Sequence, residues 1–374
     1  MRASLRKARR VVIKLGSAML TQGGDQLAHE RIGALAEEVL ELLERGIEVV
    51  LVSSGAVAEG SGRLGFADRP QAVHDLQAAA AVGQVGLIAA YQQAFERGNR
   101  NAAIVLLTHD DFADRERYLN ARATLNRLLE LGAVPVINEN DTVATDEIRF
   151  GDNDTLAGLV TNLLQADVCI LLTDTEGLRR GDPRVEPDAE LVDFARADDA
   201  SLRAMAGPSG ALGRGGMLTK IKTARLAMRS GAHTVIADGR LRGVVGQVLA
   251  GENVGTLLAA TVERLDARKR WIAGQLRARG DLVIDDGAAQ AIVSGQRSLL
   301  GVGVVDVVGR FRRGDVVRLV TRAGQPVAQG LVNYSDTEAL KLAGVSSSEM
   351  ASRLGYVNEP ELVHRDNLVL LDEL

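Results

Sequence analysis

The segment RRVVIKLGS (Arg9–Ser17) contains the first pattern in the chain that points to a particular fold. Its short apolar run, VVI, is typical of a strand that is buried on both faces. Lys14 interrupts the run, and Gly16 follows directly after it. If the pattern recurs between helices, it predicts a mostly parallel sheet, because such sheets are covered on both faces.

The pattern does recur, and each repeat follows a stretch of helical character. The further runs are IEVVLVSSG (Ile47–Gly55), AAIVLLT (Ala102–Thr108), AVPVIN (Ala133–Asn138), DVCILLT (Asp167–Thr173) and HTVIAD (His233–Asp238). The clearest helical stretch is His29–Arg45, where apolar residues recur at helical spacing and Gly46 can close the helix. We therefore predict an α/β fold, with a mostly parallel sheet sandwiched by helices.

Length and composition set limits on the class of protein. A chain of 374 residues with 46% hydrophobic residues and 40 glycines is long enough for two domains with separate cores. The net charge of −5 gives no electrostatic case for nucleic-acid binding by the chain as a whole. The single cysteine, Cys169, lies inside an apolar run, so we expect a buried small hydrophobic residue rather than a nucleophile. This cysteine usage fits a reducing compartment.

The amino-terminal segment MRASLRKARRVVIKLG places five basic residues before an apolar run, as a signal peptide does. The run ends at Lys14 after three apolar residues, which is too short for a signal peptide. No segment approaches the roughly 20 apolar residues of a membrane span. We therefore expect a cytoplasmic protein that does not enter the membrane.

The sequence pattern changes after Gly255. The stretch VERLDARKRWIAGQLRARG looks like a linker helix, and the runs after it are short, β-rich and punctuated by glycine. We assign residues 1–261 to a catalytic domain, 262–279 to the linker helix, 280–358 to a small β-rich domain and 359–374 to a carboxy-terminal tail.

Polar residues stand at the carboxyl ends of four predicted strands, in the segments KLGS, SSGA, NEND and TDTEG. Ligands of such sheets bind at the carboxyl ends of the strands, so we expect these segments to share one rim. SSGA alone is a weak indication of an anion site at a helix start. A lysine inside an apolar run costs free energy unless its charge is paired or has a function. The alternative is that Lys14 lies at the strand end and extends its ammonium group to solvent.

The segment PVINENDTVATDEIRFGDNDTLA (Pro135–Ala157) carries six carboxylates and three amides but one base, Arg149. A solvated surface loop would explain it, since Asn and Asp favour turns.

A second unusual segment is SGALGRGGMLTKIKTARLA (Ser209–Ala227). It has four glycines whose backbone N–H groups could wrap phosphates, and Thr219 and Lys220 open a helix after them. It lacks the G-x-x-x-x-G-K-[ST] pattern of a Walker A motif, and a flexible surface loop is its alternative.

Two lysines at glycine-adjacent sites, together with an acidic loop, indicate phosphoryl transfer. In that reaction the protein mainly positions the reactants and neutralises charge on the transferred group. A carboxylate nucleophile is already ionised at pH 7 and needs no general base. The lack of a convincing catalytic His or Cys is then no obstacle.

Taken together, VVIKLGS, VLVSSGAVAEG, LNARATLNRLL, VPVINENDTVATDEIRFGDNDTLA, LLTDTEGL and GRGGMLTKI resemble the bacterial glutamate 5-kinase family of the amino-acid kinases. The later segments VIDDGAAQAI, SLLGVGV and FRRGDVV resemble a PUA domain. The resemblance covers nearly the whole chain, and NENDTVAT with GDND is its most specific part. It implies the amino-acid kinase fold followed by a PUA domain.

The resemblance implies an ATP-dependent transferase that phosphorylates the γ-carboxylate of L-glutamate to L-glutamyl 5-phosphate, the first step of proline biosynthesis. Lys14 and Lys220 would hold the phosphoryl group during transfer, and Asp154 would hold the two lysines in place. Mg²⁺ is implied as a partner of ATP, bound chiefly through its phosphates.

The implied substrate and nucleotide residues come from the same segments. Those for glutamate are Ser54, Asp141, Asn153 and Asn138. Those for ATP are Lys14, Gly16, Thr173, Asp174, Arg214, Gly215, Gly216, Met217, Leu218, Thr219 and Lys220. The chemistry agrees, because Asp141 offers a counter-charge to an ammonium and Asn153 offers donors to a carboxylate.

The chain departs from the family pattern at three positions. Arg214 stands where Thr is more common, Leu218 where a small residue or Val is, and Ser17 where Thr is often found. Arg214 either pairs with nucleotide phosphates or faces solvent. None of the three changes removes an implied catalytic group.

The resemblance also implies partners, namely proline as a feedback inhibitor, further copies of the chain in a homo-oligomer, and a glutamyl phosphate reductase that consumes the product. RNA binding by the PUA-like region is not expected, because residues 281–374 carry nine Arg and Lys against thirteen Asp and Glu. Two alternatives stay open. One is an amino-acid kinase for aspartate or acetylglutamate, and the other is an RNA-binding protein whose kinase-like half is inert.

Overall fold

A computed structural model describes residues 1–22, 26–143, 153–182, 185–206, 216–261, 278–295 and 297–371 of the chain. The described residues form two compact units. The first is built on an eight-stranded sheet and the second on a five-stranded sheet. No helix of the described residues is both long enough and apolar enough to cross a membrane.

The described residues among the first 261 form ten strands. They are β1 (Arg10–Leu15), β2 (Thr21–Gln22), β3 (Gln26–Leu27), β4 (Glu48–Val52), β5 (Ala102–Leu107), β6 (Val134–Glu139), β7 (Val168–Thr173), β8 (Phe194–Arg196), β9 (His233–Asp238) and β10 (Thr256–Ala259). Strands β2 and β3 pair with each other, and the rest form one sheet in the order β5-β6-β4-β1-β7-β9-β10-β8. The strands from β5 to β9 in this order are parallel, whereas β10 runs antiparallel to β9. This confirms the predicted mostly parallel sheet.

Ten helices accompany these strands among the described residues. They are α1 (Ser17–Leu20), α2 (His29–Glu44), α3 (Ala56–Leu64), α4 (Val73–Glu96), α5 (His109–Ala113), α6 (Arg115–Glu130), α7 (Asn153–Leu164), α8 (Leu202–Met205), α9 (Met217–Met228) and α10 (Val244–Leu249). The apolar stripe predicted on α2 is buried in the core, at Ile32, Leu35, Val39 and Leu42. Each such side chain contributes roughly 1.5–3 kcal/mol by leaving water. Strand β1 is buried on both faces from Val11 to Leu15, so the sheet is covered on both sides.

The second unit is β-rich, as predicted. Its strands are β11 (Gly280–Ile284), β12 (Val304–Gly309), β13 (Val316–Thr321), β14 (Pro326–Leu331) and β15 (Leu368–Leu370), in the sheet order β12-β11-β13-β14-β15. Its helices are α11 (Asp286–Gly295), α12 (Asp336–Leu342) and α13 (Met350–Leu354). Apolar side chains of the strands and of α12 form its core, including Leu282, Leu319 and Leu342.

The end of the chain differs from the sequence analysis, which separates residues 359–374 as a tail. Strand β15 lies in this segment and pairs with β14 in the antiparallel direction. Leu362 and Val363 are buried in the core of the second unit. The described part of this segment, residues 359–371, therefore contributes to this sheet and core. The other domain boundaries stay predictions, and residues 262–277 of the predicted linker lie outside the described residues.

Candidate active site

A cavity of about 270 Å³ lies at the carboxyl ends of β6, β4, β1 and β7. These four strands are neighbours in the sheet, and they carry the four polar segments that the sequence analysis placed on one rim. The predicted residues that line the cavity are Lys14, Gly16, Ser54, Asn138, Asp141, Asn153, Thr173, Asp174 and Lys220. The shared rim is therefore confirmed.

Asp154 lies beside this cavity in the first turn of α7 and is 1% exposed. Its Oδ1 atom is 2.5 Å from the Nζ atom of Lys14 on β1, and its Oδ2 atom is 3.1 Å from the Nζ atom of Lys220 on α9. The hydroxyl of Thr219 donates a second bond to Oδ2, at 2.9 Å. Both lysines are buried, so Lys14 does not snorkel to solvent. One carboxylate thus joins three elements of the fold.

The carboxyl group of Asp154 is ionised at neutral pH. Burial alone would raise the pKa of Asp154, but the charges of Lys14 and Lys220 outweigh burial and hold that pKa at about 2. Burial also lowers the pKa of Lys220, which the Asp154 charge opposes and the Lys14 charge reinforces. Two ammonium groups against one carboxylate leave an excess positive charge at the edge of the cavity. Such an arrangement stabilises an anion that enters it.

Asn153 lies next to Asp154, and its amide is held by three acceptors. The Nδ2 atom lies 2.9 Å from the Ser53 carbonyl oxygen, 2.9 Å from the Ser54 hydroxyl and 3.1 Å from Oδ1 of Asn138. The two amide hydrogens are therefore engaged within the protein. The Oδ1 atom of Asn153 is buried and has no hydrogen-bond partner among the described residues.

This geometry corrects one expectation about Asn153. The sequence analysis has it donating to a substrate carboxylate, but its donors are used to hold β4, β6 and α7 together. Its remaining polar atom is an acceptor, the buried Oδ1 atom, and an acceptor suits an ammonium group. Asp141 also lines the cavity and adds a negative charge for the same group.

The turn after β4 places the Ser54 hydroxyl beside Asn153. Gly55 has a φ of +102°, in the left-handed region that side chains disfavour, and it precedes the first residue of α3. A Cβ atom at this position would also lie 3.5 Å from Leu20 and from Leu27. The glycine therefore lets the chain turn sharply so that Ser54 faces the cavity.

Two glycines lie near the two lysines of the cavity, Gly16 and Gly216. Gly16 lies directly after β1, and a Cβ atom there would be 3.8 Å from the Nζ atom of Lys14. Gly216 precedes the first turn of α9, and no atom lies within 4 Å of where its Cβ atom would be. The N–H groups at the start of this 12-residue helix attract anions.

The glycine-rich segment is only partly described. Arg214 and Gly215 lie outside the described residues, as does the rest of the predicted phosphate loop before Gly216. Helix α9 begins at Met217, two residues before Thr219. Gly216, Met217, Leu218 and Thr219 are described but are not among the described residues that line the cavity.

Several cavity residues were not singled out from the sequence. Glu139, the last residue of β6, is buried, and its Oε1 atom lies 3.5 Å from Nδ1 of His109. Its position in NEND was the only sequence signal for it. Arg69 and Met19 also line the cavity and lie in segments that carry no motif. Cys169 is buried as predicted, and burial raises the pKa of its thiol to about 12, so it behaves as a small hydrophobic residue.

Comparison with known proteins identifies the family of the chain. The amino acid kinase family profile matches residues 9–238, and the PUA domain profile matches residues 280–354. A mostly parallel sheet with two lysines at its carboxyl edge, together with a match over most of the chain, defines the class as an amino acid kinase. Among solved structures, UMP kinase from Bacillus anthracis is similar at 16% identity over 68% of this chain and 97% of that chain, with a TM-score of 0.47, which supports no further conclusion.

Curated relatives show to which group of amino acid kinases the chain belongs. Glutamate 5-kinase from Pseudomonas syringae pv. tomato is 56% identical over 99% of this chain and 100% of the relative. The glutamate 5-kinases of Stutzerimonas stutzeri and Pseudomonas aeruginosa are also 56% identical, with the same coverage. The chain therefore belongs to the glutamate 5-kinases of the amino acid kinase family, which confirms the resemblance seen in the sequence.

Proposed function

We propose that the chain transfers the γ-phosphoryl group of ATP to the γ-carboxylate of L-glutamate, which forms L-glutamyl 5-phosphate and ADP and begins proline biosynthesis. The relatives that match over their full length carry the name glutamate 5-kinase. The observation that carries the proposal is the position of Asp154 between Lys14 and Lys220 at the edge of the cavity.

The two lysines stabilise the transferred group. During transfer, negative charge is spread over the phosphoryl oxygens and the bridging oxygen that leaves with ADP. Lys14 and Lys220 present ammonium groups from two different elements, and Asp154 fixes both of them before the substrates bind. Preorganised donors of this kind each contribute roughly 10²- to 10³-fold to the rate.

The nucleophile is a carboxylate oxygen of glutamate. It is ionised at neutral pH, so no side chain has to remove a proton from it. The new bond forms between this oxygen and the γ-phosphorus. The bond from that phosphorus to the β,γ-bridging oxygen breaks, and its electron pair leaves with ADP. The chain needs only to align the two substrates and shield their charges.

The opposite side of the cavity suits the amino-acid end of glutamate. Asn153 offers its buried Oδ1 atom and Asp141 offers a carboxylate to the substrate ammonium. The hydroxyl of Ser54 accepts a bond from Asn153, so its own hydrogen can be donated to the α-carboxylate. Asn138 holds the Asn153 amide in place. An acetylated amine would bring no charge to pair with Asp141, which disfavours acetylglutamate as the substrate.

ATP is assigned to the lysine side of the cavity. The start of α9 offers backbone N–H groups to its phosphates, and Gly16 lets them come close to the Lys14 ammonium group because it carries no side chain. Thr173 and Asp174 lie at the end of β7 for the rest of the nucleotide. Arg214, Gly215, Met217 and Leu218 are proposed to complete this side, as the sequence analysis predicts.

Mg²⁺ is expected to arrive as part of the substrate MgATP. The described residues contain no group of three or more His, Cys, Asp and Glu side chains that could hold a metal ion. Both carboxylate oxygens of Asp154 are engaged by lysines. The nucleotide phosphates would therefore supply most of the ligands of the ion.

The proposed partners follow from the product and the family. An acyl phosphate is reactive toward water, so a reductase that consumes L-glutamyl 5-phosphate is expected to act next. Inhibition by proline, assembly into a homo-oligomer and a cytoplasmic location stay predictions. The intact set of Lys14, Lys220 and Asp154 argues against an inert kinase-like half.

The proposal is tested by trapping the acyl phosphate. Purified protein, MgATP and hydroxylamine are mixed with L-glutamate, L-aspartate or N-acetyl-L-glutamate, and the hydroxamate formed is measured. We expect hydroxamate with glutamate at least about 100-fold above the other two acids, which corresponds to roughly 2.7 kcal/mol of discrimination. Equal product with aspartate or acetylglutamate would overturn the assigned substrate, and no ATP-dependent product would overturn the reaction.

A further inference from the structure

A second cavity, of about 280 Å³, lies in the first unit and is nearly equal in size to the first. It is formed by α1, α2, the ends of β1 and β7, and the segment that follows β9. Its floor is apolar and buried, with Leu15, Leu35, Leu172 and Val244. None of the groups assigned above to phosphoryl transfer or to glutamate lines it.

Three guanidinium groups line this cavity, from Arg31, Arg240 and Arg242. Arg240 is held by a bidentate contact with Asp238, at 2.8 Å through Nε and 2.7 Å through Nη2. The Nη1 group of Arg240 is outside this contact and remains able to donate. The cavity is therefore lined by three cationic side chains, and one of them is held in place by an ion pair.

Arg31 differs from the other two arginines. It is exposed, and no carboxylate of the described residues lies within ion-pair distance of it. Its Nη1 atom contacts the Sδ atom of Met19 at 3.8 Å. In contrast, an Nη2 atom of Arg242 lies 3.9 Å from a Glu37 oxygen. Arg31 thus has charge and donors to offer to a ligand.

Glu38 is the acidic residue among those that line the cavity, and both of its carboxylate oxygens already accept hydrogen bonds. Its Oε1 atom accepts from the Gly243 backbone N–H at 2.9 Å, and its Oε2 atom accepts from the Val245 N–H at 3.0 Å. Glu38 therefore caps α10 and does not compete for the arginines. A cationic ligand would find no available carboxylate among the described residues that line the cavity.

We propose that this second cavity binds a small organic carboxylate, whose apolar body packs on Leu35, Leu172 and Val244 while its head group pairs with Arg31 and Arg240. A guanidinium binds a carboxylate in a planar, two-point contact, which gives the head group its orientation. One negative charge suits the site, because Asp238 and Glu37 already offset part of the charge of Arg240 and Arg242.

Met19 lines both cavities. It is buried on α1, and a Cβ atom added to Gly239 would lie 3.0 Å from its Cε atom, so it is packed tightly from the β9 side. A ligand that contacts Met19 in the second cavity therefore acts on a residue that also lines the first cavity. We expect it to change the KM for glutamate, a part of the proposal that rests on the proposed function.

Binding is tested by titrating the full chain with hexanoate, followed by calorimetry. Hexylammonium and hexanol serve as matched probes with the same apolar body. We expect saturable binding of hexanoate in the millimolar range, and none of hexylammonium. Saturating L-glutamate should leave hexanoate binding in place. Absence of saturable binding, equal binding of hexylammonium, or displacement by glutamate would each overturn the site.

Three variants locate the site. Arg31→Gln should weaken hexanoate binding by about tenfold, because a hydrogen bond to a charged group is lost. Arg229→Gln removes a charge from an exposed arginine outside both cavities and should change nothing. Ala34→Leu fills the cavity from α2 without removing charge and should also weaken binding. Equal affinity in Arg31→Gln and Arg229→Gln would contradict the assignment.

Coupling is tested with the trapping assay at saturating hexanoate. We expect the KM for glutamate of the unmodified chain to shift at least about twofold, and that of Arg31→Gln to shift less at the same hexanoate concentration. An unchanged KM while calorimetry shows binding would refute the coupling through Met19. Loss of all hydroxamate without hexanoate would instead refute the proposed function.

Discussion

Both units bury polar side chains, but they satisfy them in different ways. In the first unit, Lys14, Asp154 and Lys220 pair with one another beside a cavity. In the second, the Nδ2 atom of buried Asn333 donates to the Glu361 carbonyl oxygen at 3.0 Å, and the hydroxyl of Tyr334 donates to the Glu359 carbonyl oxygen at 2.5 Å. We propose that the first set holds charges for a ligand, whereas the second set fixes the path of the backbone.

The difference helps to distinguish buried polar groups that serve activity from those that stabilise the fold. Removing a charge from water costs several kcal/mol, so a stable core seldom contains ions that serve packing alone. Neutral groups bonded to backbone cost little and specify a loop. Substitutions in the first set should therefore lower activity, whereas substitutions in the second set should lower stability.

The largest effect is expected for Lys220→Ala. It removes one of the two ammonium groups that we propose to face the transferred phosphoryl group, so kcat should fall roughly 10³-fold. Lys222→Ala, an exposed lysine on the same helix, serves as the matched control and should retain full activity. Steady-state hydroxamate formation measures both. Similar activity in the two variants would remove Lys220 from the mechanism.

A smaller effect is expected for Asn153→Ala. The variant loses the buried Oδ1 acceptor assigned to the substrate ammonium, so the KM for glutamate should rise about 10- to 100-fold while the KM for ATP stays constant. Asn162→Ala, on the same helix, lies outside the cavity and should change neither value. A rise confined to the KM for ATP would place Asn153 on the nucleotide side instead.

In the second unit, Asn333→Ala should act on stability. It leaves the buried Glu361 carbonyl without this donor, so unfolding in urea should be easier by about 1–3 kcal/mol. Activity at low temperature, where the chain stays folded, should remain within about twofold of the unmodified chain. A large loss of activity in the folded variant would break the contrast between the two units.

The fourth prediction concerns pH. The pKa of Asp154 is about 2 in the folded chain against an ordinary value of 3.8, so its ionised form stabilises the fold. That contribution, on the order of 2 kcal/mol, is complete above about pH 4 and is lost as the pH falls toward 2. Unfolding free energies of the unmodified chain and of Asp154→Asn should converge as the pH falls over this range. A constant difference between them would contradict the low pKa.

Much of the fold could be predicted from the sequence because its strands are buried on both faces. Runs such as VVI before Lys14 are unmistakable, and a parallel sheet brings their carboxyl ends to one edge. Strand β15 escaped prediction because three residues are too few to show an alternating pattern. The sequence analysis therefore assigns the segment that contains it to a carboxy-terminal tail.

The site could be predicted in its residue types but not in its geometry. The direction of the Asn153 amide depends on acceptors from the turn after β4 and from β6, which no sequence spacing reveals. The second cavity likewise depends on side chains of α2 meeting the segment after β9. Its arginines form no motif in the sequence, so only the packed structure brings them together.

The central claim is that one buried carboxylate organises both catalytic lysines, and the most direct measurement is kcat of Asp154→Asn. Asp167→Asn is the control, because Asp167 lies at the amino end of β7 and accepts from the Arg9 and Arg10 backbone N–H groups. Our account predicts a roughly 10²- to 10³-fold loss for Asp154→Asn and little loss for Asp167→Asn, with both variants folded. A folded Asp154→Asn variant with near-normal kcat would contradict it.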